Sequence, residues 1–337
     1  MKKSICMITF LLTASLSFAQ DINKIISKDY VDHLIKTLSS DEMQGRRTFT
    51  PGIDKAATFI ENEFKQIGLK PLDGAHSYRQ TFYKYQLKPT TVSVSIDGQA
   101  VANENIAVIG NNTTALSFDQ TNSDGWIKLD PAKDFMSQYR TISRSGKKQL
   151  VLVDVKFVDI FKRIKAQAPR PMDEKDLTAA KQSAIVLVLD KDTVAKDFKV
   201  DLKNEAVKMP LFNVVGIIPG KSKAKELVVF SGHYDHMGIV QAKDGDSIMN
   251  GADDDASGTS AMIALAKYYK KANNNQRTLI FVAFTAEEVG GYGSQYFSQQ
   301  LNPDDVVAMF NIEMIGKDSK FGKNTAFITG YDKSDFG

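Results

Sequence analysis

The stretch Glu226-Leu-Val-Val-Phe-Ser-Gly-His-Tyr-Asp-His236 decides the fold of this chain. It opens with a continuous apolar run, and Thr278-Leu-Ile-Phe-Val-Ala-Phe284 is a second run of the same kind. Apolar runs without polar alternation are typical of strands that are buried on both faces of a parallel sheet. Residues 306–312 predict a third strand of this type, and the shorter apolar run at 326–329 predicts a fourth.

A helix is predicted between the first two strands. Over residues 257–270 the apolar positions Met262, Leu265, Ala266 and Tyr269 fall on one helical face. A strand, a helix and a second strand in this order form a right-handed crossover between two parallel strands. The predicted fold class is therefore α/β, with a mixed, largely parallel sheet flanked by helices.

Ionisable side chains follow each predicted strand at the point where it ends. They are His233 and Asp235 after the first strand, Glu287 and Glu288 after the second, and Glu313 after the third. Ligands of open α/β sheets bind outside the carboxyl ends of the strands, and imidazole and carboxylate groups bind zinc. Taken alone, an Asp-rich loop is more often a solvated turn or a helix start. Together, these groups favour a metal site.

Five motifs stand in a fixed order along the chain. They are His-Tyr-Asp-His at 233–236, Gly-Ala-Asp-Asp-Asp-Ala-Ser-Gly at 251–258, Ala-Glu-Glu at 286–288, Gly-Ser at 293–294 and Asn-Ile-Glu-Met-Ile-Gly at 311–316. With these motifs, residues 207–330 resemble the M28 zinc exopeptidases, which include bacterial leucyl-type aminopeptidases. The resemblance implies a zinc-exopeptidase-like fold of the phosphorylase/hydrolase type, and an enzyme that hydrolyses N-terminal amino acids from peptides.

The resemblance also implies a co-catalytic pair of Zn²⁺ ions. The ligands it implies are His233 and Glu313 for one zinc, Glu288 for the other, and Asp254 as a bridge between them; most members carry aspartate at the position of Glu313. Glu287 is the implied general base, which passes a proton to the leaving amine. Asp235 is close enough in sequence to orient the His233 ring. A cis peptide bond between Asp254 and Asp255 is implied as well.

One ligand of the family pattern is missing from this sequence. Members carry a further histidine well beyond the motif at 311–316, whereas the four histidines of this chain all lie at or before residue 236. We therefore expect a C-terminally incomplete enzyme that binds about one zinc tightly and has little activity, because a catalytic zinc needs about three protein ligands. In the alternative, His236 completes the second site and two zinc ions bind.

The first nineteen residues predict a secretory signal peptide. Lys2 and Lys3 precede an apolar segment, and Ser17-Phe-Ala19 supplies small residues at the cleavage site. No cysteine follows that site, so neither a lipid anchor nor a stable membrane anchor is expected. The predicted location is periplasmic or extracellular, in a bacterium.

The remaining chain is divided into three parts. Residues 20–89, with amphipathic helices at 28–38 and 53–68, and residues 207–337 are assigned to the peptidase domain. Residues 90–206 contain none of the metal motifs. We expect them to form an inserted domain resembling the protease-associated domains; extra decoration of one large domain is the alternative.

Inside the predicted insert, three segments have strand character. Residues 92–96 alternate and lead into Asp97-Gly98, which is a hairpin signal. Residues 149–155 and 184–190 are apolar runs joined by a charged, helical stretch. The segment is therefore expected to be α/β as well.

Several function classes are excluded by missing motifs. The sequence has no Gly-x-Ser-x-Gly nucleophile elbow and no P-loop. Its formal net charge of +3 and the lack of a basic patch argue against nucleic acid. The expected partners are peptide substrates. Two alternatives stay open, a single-zinc transferase of the glutaminyl cyclase type and a non-catalytic remnant of the fold, as does the choice between amino- and carboxypeptidase polarity.

Overall fold

The computed structural model describes residues 22–72, 74–110, 115–167, 170–178, 183–190, 194–329 and 331. These residues form the helices α1 (Ile22–Ile25), α2 (Lys28–Leu38), α3 (Pro51–Ile67), α4 (Phe135–Ser143), α5 (Val158–Ala166), α6 (Glu174–Thr178), α7 (Gly258–Ala272) and α8 (Tyr292–Ser298). The predicted signal peptide at 1–19 lies outside the described residues. Within the described part of the chain, no helix has both the length and the apolar character that crossing a bilayer requires.

The strands are β1 (Arg79–Ile96), β2 (Gln99–Ala100), β3 (Ile106–Ile109), β4 (Leu116–Asp119), β5 (Trp126–Lys128), β6 (Lys148–Val153), β7 (Ala184–Leu189), β8 (Phe198–Ile218), β9 (Lys223–His233), β10 (Gly238–Lys243), β11 (Asp246–Met249), β12 (Arg277–Phe284) and β13 (Val306–Asn311). The chain divides into two compact units, one of Met1–Gln80 with Phe212–Gly337 and one of Thr81–Leu211. The domain boundaries given above and the protease-associated character of the insert stay predictions.

The first unit is built on a mixed sheet in the order β13-β9-β12-β8. β9 pairs in parallel with β12, with Phe230 opposite Phe281, and in parallel with β13, with Phe230 opposite Phe310. β12 pairs in antiparallel fashion with the end of β8, where Val282 lies opposite Val215. The predicted fold class is confirmed, and α7 is the crossover helix between the parallel strands β9 and β12.

Both faces of β12 are buried, which explains why its sequence shows no polar alternation. Leu279, Phe281 and Ala283 belong to a core shared with residues of α2, α3 and α7. Ile280, Val282 and Phe284 belong to a second core, which also contains Phe297 of α8. Helices therefore cover the two faces of the strand, and each face removes its apolar side chains from water.

Helix α3 begins and ends where its sequence signals lie. Pro51 occupies the first turn, where its missing N–H is not needed. Gly68 follows the last residue with φ 82°, and its N–H donates to the carbonyls of Phe64 and Lys65. Its buried residues Ile53, Ile60 and Phe64 face the core of the first unit.

The second unit contains a four-stranded sheet in the order β3-β7-β6-β5. β6 pairs in parallel with both β5 and β7, and β3 is antiparallel to β7. The two apolar runs predicted as strands at 149–155 and 184–190 form β6 and β7. The predicted hairpin is present too, because β1 pairs with β2 through a turn at Asp97 and Gly98.

The prediction of a fourth strand in the first unit is wrong. Residues 326–329 are irregular, and Phe327 and Ile328 are 57% and 60% exposed. A short apolar run forms a strand only where a neighbouring strand offers its edge and a core covers its side chains. Neither condition is met at this position in the described part of the chain.

Candidate metal centre

Four segments bring the predicted site residues to one edge of the sheet. His233 is the last residue of β9, Asp254 lies in the irregular turn Ala252–Ser257 before α7, Glu287 and Glu288 follow β12, and Glu313 follows β13. The strand register sets Phe284 opposite His233 and Asn311 opposite Ser231. The carboxyl ends of the three parallel strands are therefore level, which is where open α/β sheets bind ligands.

His233 and Asp254 bring two buried atoms together at the site, while the Asp254 side chain as a whole is half-buried. Nε2 of His233 lies 3.0 Å from Oδ1 of Asp254. Both atoms are buried, and neither has a hydrogen-bond partner among the described residues. A buried polar atom without a partner costs about 1–3 kcal/mol. An imidazole nitrogen beside a carboxylate oxygen fits a zinc ion, which binds both atom types. The peptide bond between Asp254 and Asp255 is cis, as the resemblance implied.

A second set of ligand atoms lies beside this pair. Nδ1 of His236 is 2.7 Å from Oε1 of Glu288. In the described part of the chain, His236, Asp254 and Glu288 form the group whose ligand atoms all lie within 4.8 Å of one another. Asp254 belongs to both sets. The structure thus brings His236 close to Asp254 and Glu288.

The charge around His233 favours a bound cation. Burial opposes protonation of the His233 ring, but the charges of Asp235, Asp255 and Glu287 outweigh it and raise its pKa to about 9. Carboxylates that stabilise a proton on this ring also stabilise a metal ion in its place. The electrostatics of the site therefore agree with its donor atoms.

Asp235 holds the backbone of the two glutamates. Its carboxylate is fully buried and accepts the N–H of Glu287 at 3.0 Å, the N–H of Glu288 at 3.3 Å and the hydroxyl of Thr48 at 3.3 Å. The Nδ1 atom of His233 lies 3.1 Å from the backbone oxygen of Asp235 and 3.7 Å from its carboxylate. The nearer contact to the imidazole therefore comes from the main chain, and the side chain is bonded to the segment that carries Glu287 and Glu288.

Asp255 is a buried residue that bonds to the backbone of three segments, a role that the sequence did not reveal. One of its oxygens accepts the N–H of His233, and the other accepts those of Gly258 and Met314, each at 3.1 Å. Burial raises the pKa of this carboxyl to about 7, against the charge of His233 and the three N–H bonds, which lower it. It joins β9, α7 and the segment after β13. In a run of three aspartates, no sequence signal distinguishes this side chain from its neighbours.

The segment after β13 is fixed through its backbone. The N–H groups of Met314, Ile315 and Gly316 donate to the side chains of Asp255, Ser257 and Asp253, respectively. The side chains of Met314 and Ile315 are 50% and 52% exposed. Met314 lines a cavity of about 590 Å³ together with His236, Asp254 and Lys317. An open space of this size borders the second ligand set.

Glu287 and Glu313 line a neighbouring cavity of about 230 Å³ with His233. Both glutamates are exposed, although partial desolvation raises the pKa of Glu287, as do the charges of Glu313, Asp235 and Glu288. Glu313 accepts a hydrogen bond from Asn311 at 3.4 Å. Among the described residues, Glu313 lies outside the group of ligand atoms that converges within 4.8 Å. Its role as a ligand stays a prediction.

Arg46 is a second residue that the sequence did not reveal. It ends the short 3₁₀ segment Asp41–Arg46 and is 0% exposed. An arginine that follows a glycine in a polar stretch is usually on the surface.

Residues 213–335 match the model of peptidase family M28. Over this segment, the chain is similar to the members of that family. A probable zinc metalloprotease of Leptosphaeria maculans is 34% identical over 106 residues, which are 31% of this chain and 24% of that protein. Aminopeptidase YwaD of Bacillus subtilis is 31% identical over 108 residues, which are 31% of this chain and 22% of that protein. The chain thus matches about a quarter of the length of these curated relatives.

Solved structures with similarity to most of the chain include an aminopeptidase from Aneurinibacillus sp. strain AM-1. It is 19% identical, with a TM-score of 0.48, and the similarity covers 88% of this chain and 72% of that chain.

Proposed function

We propose that the protein is a zinc-dependent aminopeptidase that removes N-terminal residues from peptides. The proposal rests on two buried atoms, His233 Nε2 and Asp254 Oδ1. They lie 3.0 Å apart, and neither has a hydrogen-bond partner among the described residues. Purely structural polar groups in a core are hydrogen-bonded, so this pair is better explained by a metal ion. The similarity of residues 213–335 to a peptidase family supports hydrolysis as the chemistry.

Two zinc ions are proposed, following the alternative in which His236 completes the second site in place of the expected single ion. His233 and Asp254, with Glu313 as the predicted third ligand, would hold one ion. His236, Asp254 and Glu288 would hold the other, because their ligand atoms converge. When bound, zinc supplies Lewis-acid chemistry that polarises the scissile carbonyl and lowers the pKa of water.

Glu287 is assigned to proton transfer. It lines the same cavity as His233, and its backbone N–H is fixed by Asp235 at 3.0 Å. In the hydrolysis, the water oxygen bonds to the carbonyl carbon while the C–N bond breaks. The Glu287 carboxylate takes the proton from the water and delivers it to the leaving amine nitrogen, so it ends each cycle ionised again.

The similarity to known proteins favours a substrate with a free amine. Carboxylates of Asp254, Glu287 and Glu313 lie on the cavity walls, but the proposed zinc ions would offset the charges of Asp254 and Glu313, so the charge of the site does not decide the polarity. The chain is similar to aminopeptidase YwaD of Bacillus subtilis over 108 residues. This similarity supports aminopeptidase over carboxypeptidase polarity.

Export and domain organisation complete the proposal. We infer that residues 1–19 are removed on secretion and that the protein acts in the periplasm or outside the cell. Residues 90–206 are proposed as a protease-associated-like insert. Sequencing the N-terminus of the mature protein from the producing cell tests the first statement, because cleavage predicts Gln20 as the first residue.

Metal analysis and a substrate panel test the function. We expect zinc in the wild type, loss of zinc in Asp254→Asn, and retention of zinc in the matched control Asp253→Asn. The carboxylate of Asp253 bonds to the N–H of Gly316 rather than to the ligand pair. Unblocked aminoacyl substrates should be cleaved and N-acetylated ones left intact. Cleavage of the blocked substrates would contradict the assignment, and one zinc without any hydrolysis would favour a cyclase-type transferase.

A further inference from the structure

Among the described residues, the guanidinium of Arg46 donates hydrogen bonds only to backbone carbonyl oxygens. Nε donates to Tyr234 at 2.8 Å. Nη1 donates to Leu38 at 2.5 Å and to Asn250 at 2.6 Å. Nη2 donates to Gly251 at 2.9 Å and more weakly to Asp254 at 3.4 Å. The accepting residues come from three separate segments, and two of these segments carry the proposed metal ligands.

A buried arginine normally pairs with a carboxylate, because an unpaired buried charge is costly. Here burial lowers the pKa of Arg46 to about 10, and carboxylate charges oppose the change, chiefly those of Asp235, Asp255, Asp254 and Glu288. The guanidinium is therefore charged at neutral pH. Its five donors hold main-chain oxygens, and its charge partly offsets the carboxylates that surround the metal site.

The loop next to Arg46 is shaped to receive the guanidinium. Gly251 has φ 61°, and a Cβ at this position would lie 2.6 Å from Nη2 of Arg46 and 2.6 Å from Cδ2 of His236. A side chain on residue 251 would therefore push the loop away from both groups. On the other side, the backbone oxygen of Arg46 accepts the N–H of His236 at 3.3 Å. Arg46 thus touches the backbone on both sides of the second ligand set.

We propose that Arg46 is a positioning residue that holds the ligand-bearing segments 233–236 and 250–254 in their metal-binding arrangement before a metal ion arrives. The proposal deepens the zinc site proposed above and rests on it. A lysine retains the charge but carries three donors on one nitrogen, so it cannot reproduce the five bonds that the three guanidinium nitrogens make.

Zinc affinity and thermal stability of Arg46→Lys are the test, with Arg47→Lys as the matched control. Arg47 is the exposed neighbour in the chain. We expect Arg46→Lys to weaken zinc binding by about tenfold or more, the usual loss when a group that orients metal ligands is removed. The rise in Tm on adding zinc should shrink in this variant, and the visible spectrum of the cobalt form should change. Arg47→Lys should match the wild type in all three measurements.

A merely structural role gives a different result. In that case Tm falls equally with and without zinc while affinity and cobalt spectrum stay unchanged, and this would overturn the proposal. If Arg46→Lys does not fold, Gly251→Ala perturbs the same contact from the loop side and is expected to weaken zinc binding in the same way; unchanged zinc affinity in that variant would overturn the proposal.

Hydrogen exchange in EDTA separates this proposal from the zinc assignment. If the wild type binds no zinc, the proposed function fails. Faster exchange of residues 250–258 in Arg46→Lys, with other core segments unchanged, would still support the positioning role, because the N–H of Ala256 bonds to the carbonyl of Gly251 that Arg46 holds. Unchanged exchange over this loop contradicts the role of Arg46.

Discussion

Replacing Asp235 with asparagine separates two roles that this residue can have. Its carboxylate accepts the N–H groups of Glu287 and Glu288, while its backbone oxygen contacts the Nδ1 atom of His233 at 3.1 Å. Asparagine leaves the backbone contact intact. It keeps one carbonyl oxygen in the side chain and places an NH₂ group where the other oxygen was. One of the two glutamate N–H groups then faces a donor.

The size of the effect follows from burial. Asp235 is 0% exposed, so the N–H that loses its acceptor cannot bond to bulk water. Leaving one such group unsatisfied costs about 1–3 kcal/mol, and in a domain of this size that lowers Tm by about 2–4 °C per kcal/mol. The segment with Glu287 and Glu288 also loses its anchor. A displacement of a catalytic group by about 1 Å reduces kcat by about a hundredfold.

Three measurements on Asp235→Asn check this reasoning. The urea midpoint should fall, kcat on an unblocked aminoacyl substrate should fall by about ten- to a hundredfold, and the zinc held by His233 should remain. Thr48→Val is the matched control, because it removes only the hydroxyl bond to the same carboxylate at 3.3 Å. Wild-type stability together with wild-type kcat would refute the anchoring role. Loss of zinc would instead show that the carboxylate orients His233.

Three further changes probe the rest of the site. Glu287→Gln should lower turnover by at least about a hundredfold, the usual contribution of a general base, with zinc content unchanged; a variant that retained a tenth of wild-type turnover would contradict the assignment. His236→Ala should lower the zinc content from two ions to one by mass spectrometry of the native protein, and an unchanged content would exclude this residue as a ligand. Gly232→Ala should destabilise the protein by about 1–3 kcal/mol in urea unfolding, because the new Cβ would lie 2.9 Å from both Asp255 Oδ2 and Thr259 N; an unchanged midpoint would show that these neighbours can move.

The sequence predicted those parts of the fold in which local pattern and tertiary environment agree. Residues 227–230 of β9 and 279–284 of β12 are continuous apolar runs because both faces of these strands pack into cores. Helix α3 ends at Ile67 because Gly68 adopts a left-handed conformation that suits glycine. Residues 326–329 have an equally apolar pattern without a buried face, so the pattern alone led to a wrong strand.

The site could be predicted to the level of ligand types and their strands. The run 253–255 contains three aspartates, some of which bond to backbone N–H groups while another faces His233. Sequence spacing does not determine these roles, because they depend on side-chain direction in an irregular turn. Arg46 was missed for a related reason. Its partners are backbone carbonyls of residues 38, 234, 250, 251 and 254. Every residue has a backbone carbonyl, so the sequence cannot indicate which of them bind a guanidinium.

The backbone attachment of Met314, Ile315 and Gly316 has a consequence for changing the substrate range of this protein. Side chains of the turn 253–257 accept hydrogen bonds from the main chain of this segment. Positions 314 and 315 can therefore be randomised without losing the hydrogen bonds that keep the loop in place. Both side chains project outward, and Met314 borders the larger cavity. A combinatorial library at these two positions would therefore vary the recognition surface while the frame beneath it stays constant, as hypervariable loops do on an antibody framework.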